Sequence, residues 1–167
     1  MLIELEKYAQ DFFETAKEKF SFLESYGYRC LETKIANPGD YRDTIAQVFF
    51  VSETVIVEII WYFAGASIGV AFVETQDSKI PKRRVFWGNT DNAERAISLN
   101  TLAKYLNNRN SNYLNGKISF QDIEKRLPEV LEDLARATKE IAAEIINGDT
   151  SIFGDVMKFQ AELYGRR

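Results

Sequence analysis

The chain has 167 residues, a formal net charge of −4 at neutral pH and 46% hydrophobic residues, so it can bury a core without a metal or a disulfide. It contains no histidine and one cysteine, Cys30, which excludes histidine-based catalytic triads, zinc sites that use histidine or several thiolates, and an intrachain disulfide. The acidic balance argues against non-specific nucleic-acid binding as the main task of the protein.

The first element predicted along the chain is an amphipathic helix over residues 3–26. Its apolar side chains recur at helical spacing between charged ones, and they are Leu5, Tyr8, Ala9, Phe12, Phe13, Ala16, Phe20 and Leu23. Ser21 followed by Glu24 resembles a capping box, which predicts a break near Phe20 and a restart. Gly27 is expected to end the helix. Because the charged face has mixed sign, we interpret the aromatic stripe as core packing rather than as a membrane-surface helix.

A meander of strands is predicted for the centre of the chain. The alternation of side chains along residues 28–35 is typical of an edge strand with one solvated side. Three runs rich in β-branched and aromatic residues follow the turn at 37–40, and they are 45–51, 54–63 and 66–74. The prediction is an α+β fold with an antiparallel sheet of about four strands, an N-terminal helix, and three or four C-terminal helices packed mainly on one face.

The register of this meander follows from its two short turns, Ser52–Glu53 and Ala64–Gly65. With two residues in the first turn, Val51 pairs with Thr54. One face then carries only apolar side chains, and we predict that it faces the core. Its residues are Val48, Phe50, Val55, Val57, Ile59, Trp61, Phe63, Ile68, Val70 and Phe72.

The opposite face of the sheet is the candidate interaction face. It is half apolar and half polar, and its candidate residues are Gln47, Phe49, Ile56, Glu58, Ile60 and Tyr62. In the predicted register Ile60 lies opposite Gly69 and Tyr62 lies opposite Ser67, so large side chains beside small ones form a shallow groove. A helix of the same chain, a second copy or a protein partner can cover this face. Replacing Ile60 and Tyr62 with Lys is expected to abolish partner binding or dimerisation and to leave the fold intact.

A dense basic cluster, Lys82–Arg84, is followed after Val85 by the aromatic residues Phe86 and Trp87. Such interleaving can make a phosphate or nucleic-acid contact. In an acidic chain we favour the other interpretation, a charged rim whose aromatic residues dock on the core.

The C-terminal half is predicted to be helical. One helix is expected from Ala93 to about Leu106, and a longer one from a cap at Ser119 through Ile145. Pro128 is expected to kink the longer helix or to start a second segment near Leu127. Asn147–Gly148 ends it, and a last helix follows.

Few residues of this sequence suit catalysis. There is no P-loop and no G-x-G-x-x-G run. Asp40 and Asp43 could act as acid and base or bind Mg²⁺ or Ca²⁺, but residues that flank a turn are more often solvated. Glu58 is the one carboxylate placed mid-sheet among apolar neighbours. It could act as a base, or it could form a hydrogen bond to Gln47 across the strands, which is the commoner arrangement.

Three stretches taken together carry a resemblance to known proteins. They are Phe20–Leu23 leading to Tyr26–Tyr28, the paired runs around Val51–Thr54, and the segment Ile145–Asp149. The set resembles a loose group of small bacterial proteins of unknown function, some of which look like immunity proteins of toxin systems. The resemblance covers most of the chain and brings no defined functional residues. It implies a cytoplasmic bacterial protein that binds and blocks another protein.

We therefore expect a cytoplasmic, non-catalytic protein-binding domain over residues 1–167, with no cofactor, no metal and no membrane segment. Its partner is another protein or a second copy, bound at the candidate interaction face. The alternative, from a different class, is a small-molecule-binding protein or an enzyme with a pocket between sheet and helices. That alternative requires polar side chains that converge in an enclosed cavity.

Overall fold

A computed structural model describes residues 2–36, 44–64, 66–80, 84–85, 94–106, 116–118 and 122–164. This part of the chain is α+β, with an N-terminal helix, a mostly antiparallel sheet and C-terminal helices. The helices are α1 (Leu2–Lys19), a 3₁₀ helix (Ser21–Tyr26), α2 (Leu99–Tyr105), α3 (Ile123–Ile141), α4 (Ala143–Ile146) and α5 (Phe153–Tyr164). The strands are β1 (Arg29–Ala36), β2 (Ile45–Val51), β3 (Val55–Tyr62), β4 (Ser67–Glu74), β5 (Arg84–Val85), β6 (Glu94–Ser98) and β7 (Gly116–Lys117).

The described strands form one sheet in the order β1-β2-β3-β4-β6-β5, and the short β7 pairs with β4. Neighbours are antiparallel except β5 and β6, which are parallel. The sheet is therefore larger than the predicted four strands. The meander and its edge strand β1 are where the sequence predicted them, and the added strands come from the segment after β4.

The strand β6 corrects the helix that was predicted to begin at Ala93. Pairing with β4 places Ile97 on the core face and Ala96 on the opposite face, and both side chains are fully buried. Burial of consecutive residues on opposite sides is typical of a strand inside a sheet. Pairing with β4 therefore overrides the helix propensity of this segment. Helix α2 begins only after β6, where the Ser98 hydroxyl caps it by accepting a hydrogen bond from the Thr101 N–H at 3.1 Å.

The core lies between one sheet face and the helices. All ten side chains predicted for the core face belong to the large hydrophobic cluster, together with the apolar stripes of α1 and α3. Trp61 is at its centre, with ring centroids 5.6 Å from Phe12 of α1 and 4.5 Å from Phe63. The predicted core face is confirmed, because the alternation along each strand was read correctly.

The turn between β2 and β3 lies one residue later than predicted. Ser52 pairs with Val55, with its N–H donating to the Val55 carbonyl at 2.9 Å, so the turn residues are Glu53 and Thr54. The Ser52 hydroxyl also accepts a hydrogen bond from the Val55 N–H at 3.1 Å, which closes this tight turn. Val51 consequently pairs with Ile56. The register moves by two residues, so every side chain keeps its predicted face.

The helix boundaries confirm some predictions and correct one. The N-terminal helix breaks at Phe20 and continues as the 3₁₀ helix, and Gly27 ends it with φ of +88°, a conformation that favours glycine. No second segment starts near Leu127, because α3 runs unbroken from Ile123 to Ile141 with Pro128 inside it; the kink stays a prediction. Pro128 is exposed in its second turn, where the carbonyl left without an N–H partner can bind water.

Several predicted features lie outside the described residues. They are the turn at 37–40, the Asp40 and Asp43 pair, Gly65, the basic residues Lys82 and Arg83, the aromatic residues Phe86 and Trp87, and the cap at Ser119.

Candidate functional site

The side of the sheet opposite the core face, here called the second face, is arranged in four rows that run across β1, β2, β3 and β4. The row nearest the β2–β3 turn is Arg29, Val51, Ile56 and Val73. The next is Glu32, Phe49, Glu58 and Ala71. The third is Lys34, Gln47, Ile60 and Gly69. The fourth is Ala36, Ile45, Tyr62 and Ser67. All six candidate residues share this face, as the register predicted.

Most of the candidate interaction face is buried within the chain. The exposed fraction is 7% for Gln47, 5% for Ile60 and 2% or less for Phe49, Ile56 and Glu58. A second, smaller hydrophobic cluster lies at the end of the face nearest the β2–β3 turn. It consists of Phe49, Val51, Ile56, Val73 and Ala96, with Ile80 packed against it. A partner therefore cannot reach these side chains in the folded chain. A lysine at position 60 is now expected to destabilise the fold, because its charge would be buried without a partner.

A buried hydrogen bond joins two candidate residues across the strands. The Gln47 Nε2 donates to the Glu58 Oε1 at 2.5 Å, and Glu58 is fully buried. The two side chains are diagonal neighbours, because Glu58 pairs directly with Phe49. Buried polar groups need such partners, so the commoner of the two predicted arrangements for Glu58 is present. The pair ties β2 to β3 in the middle of an otherwise apolar surface.

The far end of the second face is open. Tyr62 is 42% exposed, and Ile45, Ser67 and Gly69 around it are half-buried. A Cβ at Gly69 would meet no described atom within 4 Å, so there is free space above this glycine beside the Ile60 side chain. Partial burial raises the pKa of Tyr62 above its ordinary value. This open end of the second face is defined here by Ile45, Tyr62, Ser67 and Gly69.

One surface cleft of about 250 Å³ lies between α1 and α3. Its carboxylates are Asp11, Glu14 and Glu124, and Glu124 is engaged by the Lys7 ammonium at 2.9 Å. That contact lowers the pKa of Glu124. Among the described residues, no group of three or more acidic, cysteine or histidine side chains is arranged to hold a metal ion. The cleft therefore supplies no evident chemistry.

One buried polar residue was not singled out from the sequence. Gln160 of α5 is 1% exposed, and its side-chain amide reaches the outer edge of β6. Its Nε2 donates to the Ala96 carbonyl at 3.4 Å and its Oε1 accepts from the Ser98 N–H at 3.5 Å. The Gln160 amide thus supplies one donor and one acceptor to β6, as the backbone of an adjacent strand would. No local pattern signals this role, because it depends on where α5 docks.

Comparisons with family models, with curated proteins and with solved structures find no match for this chain. Within the ranges that the structure describes, no helix combines the length and the apolar character that crossing a membrane requires. The function is therefore inferred from the geometry of the second face itself.

Proposed function

We propose that the chain is a non-catalytic protein-binding domain whose partner docks at the open end of the second face. In line with the resemblance noted from the sequence, it acts in the bacterial cytoplasm as an immunity-like protein that binds and blocks another protein. The observation that carries this proposal is the contrast along one face. The residues that β2, β3 and β4 contribute to its first two rows are buried, whereas Tyr62 is 42% exposed beside the open space at Gly69.

The chemistry of this open end suits a protein partner. Tyrosine offers a large, rigid apolar surface with a polar tip, and it is enriched in protein interfaces. A side chain from a partner could enter the space above Gly69 and stack against the Tyr62 ring. The Tyr62 hydroxyl, protonated at neutral pH, is free to act as donor or acceptor at the rim of that contact.

The packing between sheet and helices favours this proposal over a pocket that binds a small molecule. Trp61, Phe12 and Phe63 are fully buried in direct ring contact, so aromatic side chains fill the space that a pocket would need. The buried polar pair Gln47 and Glu58 lies on the other side of the sheet, and its members bond to each other. The buried carboxylate of Glu58 therefore does not face the space between sheet and helices.

Site-specific photocrosslinking tests the proposal. A benzophenone amino acid replaces Tyr62 in one variant and Tyr26 in a matched control, since Tyr26 is similarly exposed at 46% in the 3₁₀ helix. Both variants are irradiated in a lysate of the source organism. We expect one discrete protein adduct from position 62, identified by mass spectrometry, and none of the same mass from position 26. An adduct with a second copy would name the chain itself as the partner.

The same adducts from both positions, or none from position 62, would contradict the proposal. A Tyr62→Lys variant supplies the second readout. It is expected to lose the partner in co-purification while its circular dichroism spectrum and melting temperature stay those of the parent chain, because position 62 is already exposed to solvent.

A further inference from the structure

The outer edge of β1 is a second feature that the proposed function leaves unused. β1 is the last strand in the sheet order, so none of the described strands pairs with its far side. The opposite end of the sheet differs, since β6 is flanked by β5 and by the Gln160 amide. Such an unpaired edge is a template for another strand. It also borders the open end of the second face, because Lys34 lies in the third row and Ala36 in the fourth.

The pairing pattern identifies which backbone groups point outward from β1. Ser52 bonds to Val55, and the Phe63 N–H bonds to the Thr44 carbonyl, so even-numbered residues of β2 bond to β3. The odd-numbered residues of β2 then bond to β1, and Lys34 and Ala36 are the partners of two of them. The residues between, Thr33 and Ile35, consequently direct their N–H and C=O groups away from the sheet.

Among the β1 side chains that the structure describes, the exposed charged ones are positive, although the chain has a net charge of −4. Arg29 and Lys34 are exposed on the second-face side of β1. Neither forms an ion pair with any described residue. A strand that pairs with Thr33 and Ile35 would bring one of its own side chains directly opposite Lys34, and a carboxylate there would be stabilising.

Self-pairing of two copies fits this edge poorly. In one antiparallel register, Thr33 of one copy bonds to Ile35 of the other. Lys34 then lies directly opposite Lys34 of the second copy, and the two positive charges repel each other. A register centred on Thr33 instead sets the bulged position Leu31 opposite Ile35, where the ladder is irregular. In these two registers, charge and bulge act against a second copy, whereas a carboxylate of an acidic strand meets Lys34 with the opposite charge.

We infer that the β1 edge receives an extended acidic segment of the partner protein by strand addition, with a carboxylate of that segment opposite Lys34. This inference rests on the proposed function, since it names the chemistry of the partner that also occupies the open end. Backbone hydrogen bonds to Thr33 and Ile35 supply the attachment, and Lys34 selects an acidic side chain opposite it.

Amide hydrogen exchange measured by NMR on the full chain tests the inference. The probe is a blocked heptapeptide, Thr-Val-Thr-Glu-Thr-Val-Thr, and the matched control peptide has Lys at its centre. We expect the acidic peptide to slow exchange at the Thr33 and Ile35 amides in a saturable way. The lysine peptide should bind about threefold to tenfold more weakly, as expected when an opposite charge pair becomes a like pair.

Two variants separate strand addition from loose electrostatic attraction. Thr33→Pro removes an outward N–H without removing a bond to β2, and proline is tolerated at such edge positions. It should abolish protection of Ile35 by the acidic peptide, whereas Thr33→Ala keeps the N–H and should retain it. Lys34→Glu should reverse the preference, so that the lysine peptide binds more tightly than the acidic one.

Three outcomes would overturn the inference. They are no protection by the acidic peptide at millimolar concentration, equal binding of both peptides, and concentration-dependent protection of Thr33 and Ile35 in the chain alone, which would mean self-pairing. None of these affects the crosslink expected at position 62. Loss of that crosslink with intact peptide binding would instead reject the open end as the docking surface.

Discussion

The two faces of the sheet are built from the same strands yet have different roles. On the core face the apolar side chains of β2, β3 and β4 join the large cluster with α1 and α3. The second face holds a small apolar cluster, one buried hydrogen-bonded pair and an open end. Neighbouring residues of one strand therefore have very different surroundings, since Trp61 is fully buried and Tyr62 is 42% exposed. A substitution should therefore act very differently on neighbouring residues of β3.

The largest expected effect is on the core face. Trp61→Ala should lower the free energy of unfolding by about 3–5 kcal/mol, because it removes a fully buried ring and leaves a cavity. The adjacent residue Tyr62 points to the open end, so Tyr62→Ala should cost about 1 kcal/mol or less. Urea denaturation of both variants checks the contrast. Equal losses would break the distinction between the two faces.

The next effect concerns pH and two tyrosines. Burial raises the pKa of Tyr28 to about 12, so the unfolded chain, with a tyrosine pKa near 10, loses this proton first as pH rises. The stabilisation is complete below pH 10 and is lost between pH 10 and 12. The parent chain should lose about 2–3 kcal/mol more than Tyr28→Phe over this range. Tyr62→Phe is the control, since Tyr62 is half-exposed and its replacement should leave the pH profile closer to that of the parent.

A double-mutant cycle measures the buried pair of the second face. Gln47→Leu should cost about 1–3 kcal/mol, because it leaves the Glu58 Oε1 without its amide donor in a buried site. The double variant Gln47→Leu with Glu58→Leu should cost less than the sum of the two single substitutions. Chemical denaturation of the four proteins gives the coupling. Additive losses would mean that the hydrogen bond does not tie β2 to β3.

The smallest effect is expected at the open end. Gly69→Ala should stabilise the chain by about 0.5–1 kcal/mol, because a Cβ there meets open space and the unfolded chain loses freedom. Gly27→Ala is the matched control and should destabilise, since Gly27 has φ of +88°. Thermal unfolding of both variants distinguishes them. Destabilisation by Gly69→Ala would show that the groove above this strand is filled.

The faces of the meander were predictable, although one turn was placed wrongly. The β2–β3 turn is displaced by one residue, which changes the pairing by two and leaves each side chain on its predicted face. The hydrogen bond between Gln47 and Glu58 was among the predicted arrangements for the same reason. The strand β6 was not predictable from local pattern, because Ala96 and Ile97 become buried only when β4 lies beside them.

The sequence by itself determined what depends on neighbours along the chain. The period of two along β2, β3 and β4 assigned each side chain to a face, and Gly27 ended the N-terminal helix because glycine tolerates positive φ. Only the tertiary structure decided what covers each face and edge. The burial of Ile60, the exposure of Tyr62 two residues later, and the contact of Gln160 with β6 all depend on which distant segments pack together. No local period encodes that packing.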